Sequence, residues 1–174
     1  MLRPPLLLAA LLLFGCSSPA PLEPVDAAPS AEPPDLPLSV VNVADPRILD
    51  QLLEGFHQLE GGSWRWTMQR FAVKLEPPPP VPFHSPSLEL VFTVPESTIA
   101  ALGSVTVTVK LEGVELGSET VSQARDNIVF TSNVTSDLIG TKPLLAEFSL
   151  DKAMPSSEQD SRELGVIAIS VALR

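Results

Sequence analysis

Two tryptophans, two residues apart, lie in the segment with the densest set of unusual side chains. Segment 55–67 contains both tryptophans, one of the two histidines and three of the nine glycines. On a strand, Trp64 and Trp66 project to one face and Arg65 to the other. Such indole faces stack on sugar rings or peptides, while Arg65 and Glu60 offer hydrogen-bonding groups. The alternative is that the tryptophans fill the core, where large aromatic side chains usually lie.

His57 and Glu60 form a second candidate pair, because residues at i and i+3 lie close together on a helical turn. There they would form half of a metal site or an acid–base pair. We find no third ligand at a suitable spacing, so the sequence predicts no metal and no cofactor. The alternative interpretation is a loop histidine beside a solvated or structural glutamate.

Asp160, Arg162 and Glu163 precede the last predicted strand. Asp160 and Arg162 are close enough to form a local ion pair that orders the turn. Alternatively, Glu163 accepts Arg65 from the other end of the domain. Pairs of this kind on loops usually hold the local geometry, which favours a structural role. When exposed, they contribute about 0–1 kcal/mol.

The elements that position these residues are predicted from hydrophobic periodicity. Apolar and polar residues alternate in four segments: 88–94, 105–111, 144–150 and 167–173. This pattern indicates half-buried strands of an antiparallel sheet. Phe71, Val73 and Leu75 share one parity and the tryptophans the other, which predicts a bulge or turn at 67–70.

One short helix is predicted over Arg47–Phe56, with Asp45 as its N-cap and Gly55 near its end. Its apolar positions fall at i, i+3, i+4 and i+7: Leu49, Leu52, Leu53 and Phe56. With seven to nine short strands, the predicted fold class is all-β. We expect an antiparallel β-sandwich, jelly-roll or immunoglobulin-like, over residues 38–174.

Composition excludes several classes of protein. The chain has 21 acidic and 11 basic residues and a net charge of −10, so a nucleic-acid partner is not expected. A hydrophobic fraction of 44% excludes a wholly disordered chain. The single cysteine forms no internal disulfide and no Cys-rich zinc site.

The N-terminus is predicted to be a targeting segment. Its apolar run, Leu6–Phe14, is shorter than the roughly 20 residues of a membrane-spanning helix and fits a secretory signal. The residues Leu-Phe-Gly-Cys at 13–16 resemble the lipobox of bacterial lipoproteins. That resemblance implies cleavage after residue 15 and lipid on Cys16, with Ser17 directing the protein to the outer membrane. The predicted location is the cell envelope, lipid-anchored and facing the periplasm, with the membrane as partner through Cys16.

Residues 16–37 comprise the cysteine to be lipidated and a proline-rich tether. Seven prolines and no aromatic residue lie in 17–37. Because proline fixes φ and lacks an N–H, we expect an extended, semi-stiff spacer between membrane and domain.

Two longer stretches, LLEGFHQLEGGSWRWT and DSRELGVIAISVAL, resemble those of a loosely defined group of uncharacterised bacterial envelope proteins, acidobacterial lipoproteins among them. The resemblance covers residues 52–173 and implies a β-sandwich with no agreed activity; related modules accompany glycan-handling surface proteins. It marks as family positions Trp64, Trp66, Asp160, Arg162 and Glu163. The usual aromatic residue at 57 is His57 here, so stacking at that position is not implied.

Three functions follow from these patterns. The first is a non-enzymatic glycan-binding module, indicated by Trp64-Arg65-Trp66 and the predicted surface location. The second is a periplasmic protein-interaction or assembly factor, indicated by the tether and the negative charge. The third is a small hydrolase using Glu60 or Glu163, which needs a second carboxylate about 5–10 Å away. The sequence favours a protein that is not an enzyme.

Overall fold

The computed structural model describes residues 38–79 and 85–174. The predicted signal peptide (1–15), the tether (16–37) and Cys16 lie outside the described residues. In the described part, no helix has both the length and the apolar character needed to cross a membrane.

Nine strands and one α-helix, α1 (Glu96–Leu102), make up most of the described residues. The strands are β1 (Val40–Asn42), β2 (Leu52–Glu60), β3 (Trp64–Leu75), β4 (Ser87–Val94), β5 (Val105–Leu111), β6 (Val114–Val121), β7 (Arg125–Asn133), β8 (Leu144–Leu150) and β9 (Ile167–Leu173). Two short 3₁₀ helices cover Pro46–Gln51 and Ser136–Leu138.

The strands pair in the order β6-β5-β8-β3-β9-β4-β7, with β1 beside β9 and β2 beside β3, and every pairing is antiparallel. β3 pairs with β9 only through Arg65 and Trp66, then with β8 from Arg70 onward. The ends of the sheet approach each other where the Ser132 hydroxyl donates to the Leu116 carbonyl at 2.9 Å. The sheet therefore folds over on itself, and the prediction of an antiparallel β-sandwich is confirmed.

The folded sheet forms two layers, and the core lies between them. The buried residues of its strands follow the predicted alternation. Every second residue of β4, β5 and β8 is buried. At its centre the ring of Phe71 stacks on Phe148, with centroids 4.7 Å apart, and meets the edge of Phe56 at 5.4 Å. Each fully buried side chain of this size contributes about 1.5–3 kcal/mol.

The helix predicted over Arg47–Phe56 is confirmed at its start, where Asp45 caps a helical segment, but its type and its extension to Phe56 are wrong. A 3₁₀ helix ends at Gln51 and β2 begins at the next residue. The buried amide of Gln51 bonds the backbone of Leu38 and the carbonyl of Lys74, which fixes the chain against β3. A single short helix is marginal on its own, whereas pairing with β3 satisfies the backbone groups of β2. α1 was not predicted from the sequence.

The register between β2 and β3 shifts in the region where a bulge or turn was predicted. Glu54 pairs with Ala72 and Phe56 with Thr67, so β3 contributes extra residues between these two pairs. Gly55 lies opposite this bulge with φ +74°. β3 nevertheless continues through the bulge as one strand, so no turn forms there.

Candidate functional site

The two tryptophans lie on the outer face of the sheet. Thr67 and Phe71 are buried and face the core from β3. Trp64 and Trp66 have the opposite parity, so they project away from the core, and both are half-buried. Neither tryptophan belongs to the hydrophobic core.

Trp64 lines a depression of about 390 Å³, which we call the Trp64 groove. The other lining residues are Ser63, Thr93, Asp126, Asn127, Ile167 and Ile169. Trp66 pairs with Ile167 across β3 and β9 and so lies next to the groove. The exposed surface of the groove is mainly apolar, and hydroxyl, amide and carboxylate side chains are among its lining residues.

The turn between β2 and β3 positions Trp64. The Ser63 N–H donates to the Glu60 carbonyl at 3.1 Å and closes this turn. Gly61 has φ +56°, and a Cβ built on it would overlap Cη2 of Trp64. The indole therefore lies against bare backbone, and only glycine at position 61 leaves room for it.

A bulge in β7 forms the opposite rim. β7 has one extra residue between the pairs Phe92–Ile128 and Val94–Arg125. Asn127 adopts φ +49°, and its N–H donates to Oγ1 of Thr93 at 3.1 Å. Such a bulge re-aims side chains, and here Asp126 and Asn127 both end up exposed at the rim.

A second irregularity, in β9, supplies the floor. Val91 pairs with Ser170 but Phe92 pairs with Ala168, which leaves Ile169 as an extra residue. Ile167 and Ile169 are therefore on the outer face, while Ala168 and Val171 are buried. Sequence reasoning placed these isoleucines on one face with Val171 and so missed them as site residues.

Arg65 is held by backbone carbonyls. Its Nε donates to the Val43 carbonyl and its Nη1 to the His57 carbonyl, each at 3.0 Å. The predicted alternative, a Glu163–Arg65 pair, is wrong because Oε1 of Glu163 accepts the Gln69 N–H at 2.7 Å. Arg65 thus joins β2, β3 and the residue after β1, and its guanidinium is not in the Trp64 groove.

His57 and Glu60 lie on β2 and not on a helical turn, so the predicted helical pair is wrong. Nε2 of His57 lies 2.7 Å from the Glu163 carbonyl oxygen, and Glu60 bonds Arg162 instead. In residues 38–79 and 85–174, no group of three His, Cys, Asp or Glu side chains is arranged to hold a metal ion.

Arg162 joins two carboxylates. Its Nε and Nη2 donate to Asp160 at 3.0 and 2.8 Å, and its Nη1 donates to Glu60 at 2.5 Å. The Arg162 side chain, through its hydrogen bonds, lowers the pKa of Asp160 to about 2, and the carboxylates raise the pKa of Arg162. The cluster ties the end of β2, just before the Trp64 turn, to the loop before β9.

This cluster predicts a pH dependence of stability. The folded-state pKa of Asp160 lies below its value of about 3.9 in an unfolded chain. The stabilisation is therefore complete above about pH 4 and is lost as the pH falls towards 2. Urea unfolding across this range should show a shallower fall in the free energy of unfolding for Asp160→Asn than for the unchanged protein.

Asp45 provides a comparison, because hydrogen bonds from Arg47 also lower its pKa to about 2. Asp45→Asn should also make the free energy of unfolding fall less steeply between about pH 4 and pH 2. The two substitutions together should reduce this pH dependence further. A carboxyl NMR titration that places the pKa of Asp160 near 4 would contradict this description of the Arg162 cluster.

Comparisons with known proteins assign the chain to no family. No protein-family model matches the chain, and no curated protein matches it. One similar solved structure is a carbohydrate-binding module, CBM36, in complex with calcium and xylotriose; it is 11% identical, has a TM-score of 0.41, and covers 78% of this chain and 98% of its own. Another is the CBM36-1 domain of a multidomain xylanase from the hindgut metagenome of Trinervitermes trinervoides. It is 9% identical, has a TM-score of 0.36, and the match covers 68% of this chain and 86% of that domain's chain. Both TM-scores are below 0.5.

Proposed function

We propose that the protein is a non-enzymatic glycan-binding module of the cell envelope, anchored by lipid on Cys16. The observation that supports glycan binding is the position of Trp64. Its indole lies outside the core and lines a mainly apolar groove, whose other lining residues include Asp126 and Asn127.

The groove has the chemical character that a sugar ring requires. A pyranose has C–H groups on its faces, which pack on indole, and hydroxyls around its edge, which hydrogen-bond. Trp64 supplies the stacking surface, and Asn127 and Asp126 supply a donor and acceptors. The volume of about 390 Å³ lies within the range of about 300–1,000 Å³ typical of ligand sites.

The carboxylates do not favour a hydrolase. Glu60 is paired with Arg162, and Glu163 accepts a backbone N–H. Neither of them lines the groove, where Asp126 is the one carboxylate. A glycosidase needs two carboxylates on either side of the bond to be cleaved, so binding without cleavage is the better description.

Glycan binding is tested with the purified protein on an array of neutral oligosaccharides, followed by calorimetry on the best one. We expect saturable binding to at least one neutral glycan, with no shortening of the oligosaccharide after prolonged incubation. An array without any binding would contradict the proposal, and released reducing ends would contradict the non-enzymatic part.

A protein-interaction function is the second candidate, favoured by Val129. This side chain is 56% exposed and alternates on β7 with the buried Ile128 and Phe130, so it lies on the outer face of the sheet, as the groove does. Crosslinking in cells that repeatedly recovers one envelope protein, together with an empty glycan array, would favour this candidate over glycan binding.

The lipid anchor is supported by the sequence of residues 13–16 and lies outside the described residues. A cysteine with two or more acyl chains anchors stably, whereas a protein without acyl chains does not. We therefore expect Cys16→Ser to move the protein from the membrane fraction to the soluble fraction or to leave the signal uncut. A full-length soluble chain with unmodified Cys16, identified by mass spectrometry, would contradict the anchor.

A further inference from the structure

We infer that Asp126 makes the Trp64 groove selective for neutral glycans over acidic ones. This inference rests on the proposed function, because it names the class of glycan that the same groove accepts. It concerns glycans bearing carboxylate, sulfate or phosphate groups, all of which carry negative charge at neutral pH.

Asp126 is the one charged residue that lines the groove. Its lining residues are a tryptophan, two isoleucines, a serine, a threonine, an asparagine and Asp126, and no lysine, arginine or histidine is among them. The exposed carboxylate of Asp126 therefore acts on a bound ligand without a cation in the lining to offset it.

The nearest arginines along the chain are directed elsewhere. Arg125 forms an ion pair with Glu119 at 3.0 Å, which compensates its charge. Arg65 donates to the carbonyls of Val43 and His57 and projects to the face opposite Trp64. With a net charge of −10, the rest of the chain adds repulsion for anions at low ionic strength.

Asp126 acts on the two kinds of glycan in opposite directions. Toward a neutral sugar it accepts charge-assisted hydrogen bonds from hydroxyl groups, which are stronger than those to an uncharged acceptor. Toward an anionic sugar it adds like-charge repulsion. Because Asp126 is exposed, we expect acidic glycans to bind about 3- to 10-fold more weakly at low salt, and less so as salt screens the charges.

The test compares two derivatives of a neutral polysaccharide that contains the oligosaccharide that binds best on the array. One is hydroxyethylated and the other carboxymethylated to the same degree, so they match in bulk and differ in charge. The full-length protein and two variants, Asp126→Asn and Asp137→Asn, are titrated with both derivatives at about 0.01 M and 0.15 M salt. Asp137 is the matched control because it is an exposed aspartate that follows the far end of β7 and does not line the groove.

The unchanged protein and Asp137→Asn should prefer the hydroxyethylated derivative by about 3- to 10-fold at low salt. Asp126→Asn should lose most of this preference and retain only the weak, salt-sensitive part that comes from the net negative charge of the rest of the chain. Equal binding of the derivatives by the unchanged protein, or the same preference in Asp126→Asn, would overturn the inference while leaving glycan binding intact. An array that finds no neutral glycan would remove the proposed function and this inference together.

Discussion

Replacing Trp64 by alanine is expected to weaken glycan binding by about 10- to 100-fold, or about 1.4–2.8 kcal/mol, while the domain remains folded. The indole is the largest side chain that lines the groove and the one aromatic surface there. Because it is half-buried on the outer face, its removal leaves no cavity in the core. Calorimetric titration with the best neutral glycan measures the change in affinity.

Met68→Ala is the matched control for this experiment. Met68 lies on the same strand with the same parity as Trp64, is 41% exposed and does not line the groove. It should bind glycan within about twofold of the unchanged protein. Equal losses in the two variants, or full affinity after Trp64→Ala, would contradict the assignment of the groove.

The turn offers a second perturbation of the same indole. Gly61→Ala places a methyl group where the Trp64 ring lies, so binding should weaken as the ring is displaced. Gly62→Ala carries a similar conformational cost, since its φ is +67°, but its methyl group would meet nothing within 4 Å. Affinity should therefore fall for Gly61→Ala much more than for Gly62→Ala.

Gly55→Ala is expected to have the largest effect on stability, lowering the free energy of unfolding by about 3–5 kcal/mol. Its φ of +74° is unfavourable for alanine, and the new Cβ would overlap the Arg70 carbonyl oxygen and lie 2.7 Å from Cα of Phe71. Both contacts are with backbone in the β3 bulge, so the strands must separate to relieve them. For a domain whose total stability is about 5–15 kcal/mol, this loss approaches unfolding.

Gly113→Ala is the control for conformational cost alone. Its φ of +77° is nearly the same, but a Cβ there would meet nothing within 4 Å. We expect a loss of about 1–2 kcal/mol in urea unfolding. Similar losses at positions 55 and 113 would show that the close approach of β2 to β3 is not as described.

The strands were predictable where one face is buried and the other is not. In β4, β5 and β8 the alternation of apolar and polar residues corresponds to the two faces of the sheet. The pattern failed at Leu49, Leu52, Leu53 and Phe56, whose spacing fits a helix. Leu49 and Leu53 are 54% and 49% exposed, whereas Leu52 and Phe56 pack against the core, so the four residues do not form one buried face. The deciding interactions, pairing with β3 and the bonds of Gln51, join residues far apart in sequence and leave no local signal.

The groove was predictable only in part. Residue type and spacing singled out Trp64, and strand parity placed Trp66 on the same face. Asp126 and Ile167 were missed because bulges in β7 and β9 change which residues face outward. A bulge depends on pairing with a neighbouring strand, so alternation within one segment does not reveal it. The one available signal was the residue type of Asn127, because asparagine tolerates the left-handed conformation that it adopts within β7.

The most direct test of glycan binding at the Trp64 groove is an NMR titration of the isotope-labelled protein with the best neutral glycan. Backbone amide shifts should change most at Ser63, Trp64, Thr93, Asp126, Asn127, Ile167 and Ile169, together with the indole N–H of Trp64. Shift changes that centre instead on the opposite layer, around Glu147 and Lys110 on β8 and β5, would contradict the account.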